Sequence, residues 1–440
     1  MSKETKVKAD DAYLSVSKEG RTLRTRDGQP FFWLGDTAWS CPGKASMEEW
    51  RRYVDVRASQ GFNVLQLNSL PQHDATKPIL KGSRPFEWQG DQLWDYDTIL
   101  SDYFDRLDRM IEYANDKGIV IAIVVIWFYQ IPHAKRKGRP LRHGMTLEQA
   151  KTYARFLVGR LQERNVIWVI SGDDDFEEEG ITDFYDAIGR EVKETDGRGR
   201  LITTHPAYMS GAYFHDKSWL DFNWVQSSHH GEEQDKAYLY VREEWRRTPA
   251  KPVVNSEPCY EGFPAWGLRE DTFNRRDVRR ACWWSVLEGG LVGITYGAEG
   301  VWNWTCPGET RQDRKPEHLT TWEEALLFPG AEDLARMKAI MTSYAWWTLE
   351  PAPSRLVSTP SSYTPVAASA DAKLLMAYLP DGEAIELDLT GVPASATARW
   401  MHLERGEILP FEWPETSAGQ SVRLSPPDLT SDYLLLLAAD

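Results

Sequence analysis

Gly118-Ile-Val-Ile-Ala-Ile-Val-Val-Ile-Trp127 and Asn165-Val-Ile-Trp-Val-Ile-Ser-Gly-Asp173 decide how this chain folds. Each is a β-branched run, apolar at odd and even positions alike, and each follows a segment with helical apolar spacing. A strand apolar on both faces is buried on both faces, which is the condition inside a parallel sheet covered by helices. The longer run, Ile119 to Phe128, is right for a buried strand and too short to span a bilayer.

The same unit recurs on either side. Strands are predicted at Phe31–Asp36, Asn63–Asn68, Val120–Trp127, Val166–Gly172, Leu201–His205, Phe222–His229, Pro252–Glu257 and Gly293–Gly297. Between them lie amphipathic helices, two of which open with capping boxes, Ser46-Met-Glu-Glu49 and Thr146-Leu-Glu-Gln149. Gly61 and Gly118 suit the helix ends before strands two and three, where a left-handed residue is favoured. Eight such strands alternating with helices predict a closed (β/α)8 barrel over residues 30–350. An open doubly wound sheet is the alternative, but strand one runs into Gly35-Asp-Thr-Ala-Trp39 and not into a glycine-rich phosphate loop.

After Pro351 the texture changes to short alternating runs split by Pro, Gly and Asp, which predicts a small antiparallel β-sandwich over residues 351–440. Residues 1–29, through the Ala12–Thr25 stretch, are expected to form a hairpin packed on the barrel.

Composition narrows the function classes. The 440-residue chain carries a net charge of −15, which argues against nucleic acid and anionic membrane surfaces as partners. The charged N-terminal region lacks an apolar signal core, so a cytoplasmic location is expected. Cys41, Cys259, Cys282 and Cys306 are scattered without a CxxC pair and are expected to be free thiols. The excess is aromatic, with 20 Trp and 18 Tyr. Rings with apolar faces and hydrogen-bonding edges suit carbohydrate, although most single rings of this kind fill cores.

In a (β/α)8 barrel reactive groups gather at the C-terminal ends of the strands. Those ends carry Asp36, Thr37 and Trp39; Asn68, Gln72, His73 and Asp74; Trp127, Gln130 and His133; Asp173, Asp174 and Asp175; His205; Gln226, His229 and His230; Glu257, Tyr260 and Glu261; and Tyr296, Trp302 and Trp304. Carboxyls end strands four and seven, on opposite sides of the mouth. Two carboxyls about 5–5.5 Å apart serve a retaining glycosidase, and a gap of roughly 6.5–9.5 Å serves an inverting one. The competing reading of Asp173–Asp175 is a solvated acidic loop, and that of Glu257 a surface residue before Pro258. Asp36 and the histidines are read either as satisfied polar groups or as sugar-hydroxyl partners.

Two other chemistries are compatible with such a barrel. A metal-dependent hydrolase on the same barrel would want paired histidines, but no HxH or HExxH occurs. On a strand, His229 and His230 would point to opposite faces. No metal or cofactor is therefore expected. A non-catalytic sugar-binding protein is the remaining alternative.

The stretches Pro30-Phe-Phe-Trp-Leu-Gly-Asp-Thr-Ala-Trp39, Arg57-Ala-Ser-Gln-Gly-Phe-Asn-Val64, Ile167-Trp-Val-Ile-Ser-Gly-Asp173, Asn255-Ser-Glu-Pro-Cys-Tyr-Glu-Gly262 and Gly293-Ile-Thr-Tyr-Gly-Ala-Glu-Gly-Val-Trp-Asn-Trp304 together resemble the apiosidase-like glycoside hydrolases. The resemblance implies a barrel with a small C-terminal β-sandwich, an acid/base at Asp173 and a nucleophile at Glu257. Because Asp174 and Asp175 follow, the acid stays open by one residue. The family's best-known activity is release of apiose from plant pectin. Here the long individual loops after strands two and eight, and the expected cytoplasmic location, favour a small oligosaccharide or glycoside. Asp36, Asn68, His205, Gln226, His229, Tyr260 and Tyr296 are expected to bind its hydroxyls, and Trp39, Trp127, Trp302 and Trp304 to wall the site.

Overall fold

The computed structural model describes residues 14–72, 84–89, 94–132, 135–136, 139–140, 144–267, 271–311, 319–409, 411 and 421–439. His73, Asp74, His133 and the start of the expected N-terminal hairpin lie outside them.

Eight parallel strands form the core: Trp33–Thr37, Val64–Asn68, Val120–Trp127, Val166–Gly172, Ile202–Thr203, Asn223–Gln226, Val253–Glu257 and Gly293–Tyr296. They pair in the spatial order five, four, three, two, one, eight, seven, six. The seam between strands five and six is closed by the Asp221 N–H donating to Ile202 O at 2.9 Å and the Thr203 hydroxyl donating to Phe222 O at 2.8 Å. The helices Met47–Ser59 and Leu147–Arg160 start at the two expected capping boxes, and Arg275–Leu287 starts at a third built by Asn274 and Asp277. A hairpin, Phe86–Trp88 with Trp94–Ile99, fills part of the long connection after strand two, which lacks a clear periodic signal in the sequence. Among the described residues no helix is long and apolar enough to cross a membrane. All four cysteines are free.

The two faces of strand one show how the interior is stacked. Trp33 points inward, its indole N–H donating to Thr295 Oγ1 at 2.9 Å and its ring meeting Trp224 edge-on at 5.8 Å. Above it Gln66 spans the barrel, donating to Thr37 Oγ1 and to Ser256 O at 2.8 Å. Asp36, one residue out of phase, faces the helices: it accepts from Arg57 Nε at 2.5 Å and from the Tyr53 hydroxyl at 2.7 Å, all three side chains fully buried. Such a pair is weak as net stabilisation but costly to break, because removing one partner leaves a bare buried charge.

The N-terminal stretch forms three two-residue strands, Ser15–Val16, Leu23–Arg24 and Pro30–Phe31, with the third running directly into barrel strand one. Leu14 is buried and belongs to the barrel's core cluster.

Beyond the barrel a six-stranded antiparallel sheet is faced by a two-stranded ribbon, Ile385–Asp388 with Ser421–Leu424. Its central strands, Leu374–Leu379 and Tyr433–Ala438, are buried on both sides for a definite reason. Leu375, Ala377, Leu379, Leu435 and Leu437 pack toward the ribbon, whereas Leu374, Met376, Tyr378, Leu434 and Leu436 join the barrel's own core. At that junction Arg279, on a barrel helix, donates to both Asp432 carboxylate oxygens at 2.7 Å and to Asp333 at 2.6 Å.

Asp36→Ala strands the Arg57 guanidinium in the core. The expected loss is about 3–5 kcal/mol, read as a lowered urea midpoint with an unchanged slope.

Candidate active site

Glu257 closes strand seven and is the centre of the site. The strand alternates until Asn255, which faces the helices and donates to Ser285 Oγ at 3.0 Å. The pairing with strand six then slips, Val225 opposing Asn255 and Gln226 opposing Glu257. The extra residue, Ser256, is a bulge that re-aims the next side chain. Both Ser256 and Glu257 thereby face the barrel axis.

Glu257 is 6 % exposed, and its carboxylate is surrounded by polar side chains from three other strand ends. His229 Nε2 and Gln226 Nε2 each lie 3.0 Å from Oε1; His205 Nε2 is 3.2 Å and Trp39 Nε1 3.3 Å from Oε2. The Tyr260 hydroxyl accepts from the same Trp39 indole at 3.3 Å. Burial pushes the Glu257 carboxyl up, but the hydrogen bonds and charges of His205 and His229 outweigh it and hold the group well below the usual carboxylate range. Glu257 is thus a fixed anion.

Aromatic rings wall this anion. Trp39 meets Trp127 at 5.3 Å and His205 at 5.1 Å; His229 meets Tyr260 at 4.6 Å and Phe263 at 4.5 Å; Trp302 lies 6.4 Å from Tyr260. Two glycines make the close packing feasible. A Cβ on Gly172 would sit 2.0 Å from the Trp127 ring, and one on Gly297 would sit 2.0 Å from the Tyr260 ring. Trp127 Nε1, His205 Nε2, Gln226 Oε1 and His229 Nδ1 are buried and make no well-aligned hydrogen bond in the protein, His205 Nε2 facing Glu257 Oε2 by proximity and charge alone, a pattern that calls for an explanation at a functional site.

Asp173 follows strand four. Its backbone N–H donates to His205 O at 3.0 Å, so it is tied to the residue whose ring faces Glu257. Its φ of 53° is left-handed, a conformation Asp tolerates better than most residues. Asp174 turns the other way, accepting from the Phe176 N–H at 2.9 Å and the Tyr185 hydroxyl at 3.0 Å. Burial pushes its carboxyl up to about 6, with those two donors opposing.

The structure thus gathers Trp39, Trp127, His205, Gln226, His229, Tyr260 and Trp302 around Glu257. Other expected residues do not join them. Asp36 belongs to the Arg57 pair. Tyr296 is fully buried, and its hydroxyl donates to Glu261 Oε2 at 2.6 Å. Both fail for one reason: strand period two turns them to the helix side while Gly35 and Thr295 face in. Trp304 is core, stacked on Trp322 at 4.5 Å. Asn68 is buried and holds the following turn, donating to Gln72 Oε1 at 2.7 Å and accepting from the Leu70 N–H. Strand six stops at Gln226, short of the expected His229, because Ser228 takes a φ of 91°. His229 therefore turns in while His230 is exposed. Phe263 and Trp266, which the sequence did not single out, stand beside His229; their only sequence signal is their place in the loop after strand seven. Among the described residues no group of three or more His, Cys, Asp or Glu is arranged to hold a metal ion.

Comparison with known proteins gives a consistent picture. The family model described as "Apiosidase-like, catalytic domain" matches residues 17–348. A solved structure described as a glycoside hydrolase is 26 % identical, with 98 % of this chain and 97 % of that chain covered and a TM-score of 0.82. A structure described as a glycoside hydrolase family 5 from Bacteroides vulgatus ATCC 8482 is 27 % identical, with coverages of 97 % and 93 % and a TM-score of 0.82. No curated protein sequence matches.

Two substitutions test the electrostatics. His229→Ala removes a donor that keeps Glu257 ionised, so the acid limb of the kcat/KM profile moves to higher pH. Asp174 has a folded-state pKa above its unfolded one, so its contribution to stability is present below the unfolded value and is lost as pH rises through about 6. Asp174→Asn does not titrate. Between pH 4 and 7 the wild type is expected to lose up to about 3 kcal/mol relative to that variant, measured by urea unfolding at both pH values, with the variant still active.

Proposed function

The chain belongs to the apiosidase-like family, and we propose that it cleaves the terminal sugar from a small oligosaccharide or glycoside, an apioside or similar furanoside, by a retaining mechanism. The observation that carries this is the Glu257 carboxylate, held below the usual carboxylate range among aromatic rings and facing His205, whose carbonyl accepts from the Asp173 N–H.

In this mechanism Glu257 attacks the anomeric carbon as Asp173 donates a proton to the departing glycosidic oxygen. The bond to the leaving group breaks and a glycosyl ester forms on Glu257. Asp173, now a carboxylate, takes a proton from water. The hydroxyl attacks the same carbon from the opposite side to Glu257, and the carboxylate leaves. The donors around Glu257 aid this second step most, because negative charge returns to an oxygen that His205, His229 and Gln226 already face. The buried, unpaired Trp127 Nε1, Gln226 Oε1 and His229 Nδ1 would then find partners in sugar hydroxyls. The low exposure of Glu257 and of Trp39, His205 and Tyr260 beside it favours one terminal ring over the middle of a polymer.

The test starts with a screen of 4-nitrophenyl furanosides and pyranosides, with NMR of the first-formed anomer. Retention is expected, and an inverted product would overturn the mechanism. Glu257→Gln is expected to be folded and inactive. Asp173→Ala should lose about 10²–10⁴-fold on substrates with poor leaving groups but far less on nitrophenyl glycosides, and azide should restore turnover while yielding a glycosyl azide of unchanged configuration.

A further inference from the structure

Gln66 is the middle residue of strand two, fully buried, with its amide on the axis side of the barrel. Its nitrogen has to be the group that faces Ser256 O at 2.8 Å, because a peptide carbonyl only accepts. The same nitrogen lies 3.2 Å from Thr37 Oγ1, so both amide hydrogens are taken, one by strand seven and one by strand one. The amide oxygen, Oε1, is buried with no hydrogen-bond partner among the described residues. A buried carbonyl oxygen without a partner costs stability. Core packing therefore does not account for this side chain, and its two donors lead toward Glu257 by separate routes.

The first route is the backbone. Ser256 is the bulge residue, and its carbonyl belongs to the peptide unit that enters Glu257. That unit is planar, so fixing the direction of the carbonyl fixes the plane from which the Glu257 side chain departs. Ser256 Oγ donates to Val225 O at 3.1 Å, so the bulge is held at its side chain as well. The second route is a chain of hydroxyls with one direction. The Gln66 nitrogen can only donate, so Thr37 Oγ1 accepts and its own proton points onward. The Trp39 indole can only donate, so the Tyr260 oxygen accepts there at 3.3 Å and its proton serves another acceptor. Burial and the Glu257 carboxylate push the Tyr260 hydroxyl well above the usual phenol range, with donors from Trp39 and Thr37 opposing them. Tyr260 therefore keeps its proton, and the acceptor beside it is Glu257.

We infer that Gln66 and Thr37 are positioning residues for Glu257: the Gln66 amide holds the bulge that aims the carboxylate, and Thr37 turns the second donor onto Tyr260, whose hydroxyl faces it. The inference rests on the proposed nucleophilic role of Glu257 and deepens it. Both side chains are fully buried, out of a substrate's reach, so they act on kcat and not on binding. A displacement of about 1 Å at a reacting group can cost about 10²-fold in rate.

The experiment uses whichever nitrophenyl glycoside the screen identifies. Gln66→Met keeps the length of the side chain and removes both donors; kcat is expected to fall about 10²-fold, with KM within about threefold of wild type. Thr37→Val keeps the shape and removes only the hydroxyl, whereas Thr37→Ser keeps the hydroxyl and removes a methyl. Packing alone would favour the valine. The inference requires the reverse, with kcat about tenfold lower in Thr37→Val and within about threefold of wild type in Thr37→Ser. This pair decides the matter if Gln66→Met does not fold. Equal kcat in the two Thr37 variants, a folded Gln66→Met at wild-type kcat, or a rise in KM at constant kcat would each overturn the inference while Glu257→Gln stays inactive. An active Glu257→Gln enzyme, or a wild-type protein that cleaves nothing in the screen, would instead overturn the proposed activity, and the inference with it.

Discussion

A carboxylate buried at the centre of a protein must be surrounded by donors or it will take up a proton. At Glu257 the partners are an indole from beyond strand one, an amide and an imidazole from strand six and the turn after it, and a second imidazole facing the carboxylate from beyond strand five. No local segment could supply that set. It exists only because strands one, five, six and seven converge on one axis, so closure of the sheet and ionisation of the carboxyl are a single physical fact. The residues beneath serve the same end. Gln66 bridges to the Ser256 carbonyl, and the Ser256 hydroxyl donates to Val225 O at 3.1 Å, fixing the bulge on which the orientation of Glu257 depends.

Local irregularity is concentrated around this anion. Asp173 and Ser228 take positive φ angles without being glycine, and two strand ends use glycine to let a ring lie on the backbone. Conformations of this kind are retained where surrounding structure over-determines them, and they cluster at sites that need exact placement. Here they sit at or just after the ends of strands four, six and eight.

The fold was legible because its strands are apolar on both faces and its helices are punctuated by capping boxes and glycines, signals that depend only on neighbours in sequence. Position at strand ends brings Glu257 and Asp173 forward as candidates for the same reason. What could not be read was which way each terminal residue faces. Asp36 and Tyr296 were drawn to the mouth by position, yet parity sends them to the helices; parity would in turn have sent Glu257 to the same side as Asn255 had the bulge not intervened. A bulge depends on the register between two strands and leaves no mark in either one. Trp304 was indistinguishable from Trp302 by type, and only its stacking on Trp322 separates them. Trp266 lay in a loop without periodicity, where a ring's exposure is decided entirely by backbone bonds to a segment remote in sequence.

The junction between barrel and C-terminal sheet has its own consequence. Leu374, Met376, Tyr378, Leu434 and Leu436 belong to the barrel's core, and Arg279 finds its principal carboxylate, Asp432, only near the end of the chain. A ribosome releasing the barrel first would therefore deliver a body with one oily flank and a guanidinium paired with Asp333 but not yet with Asp432. Strands Leu374–Leu379 and Tyr433–Ala438 cover that flank, so the C-terminal region completes the barrel's core as well as extending it.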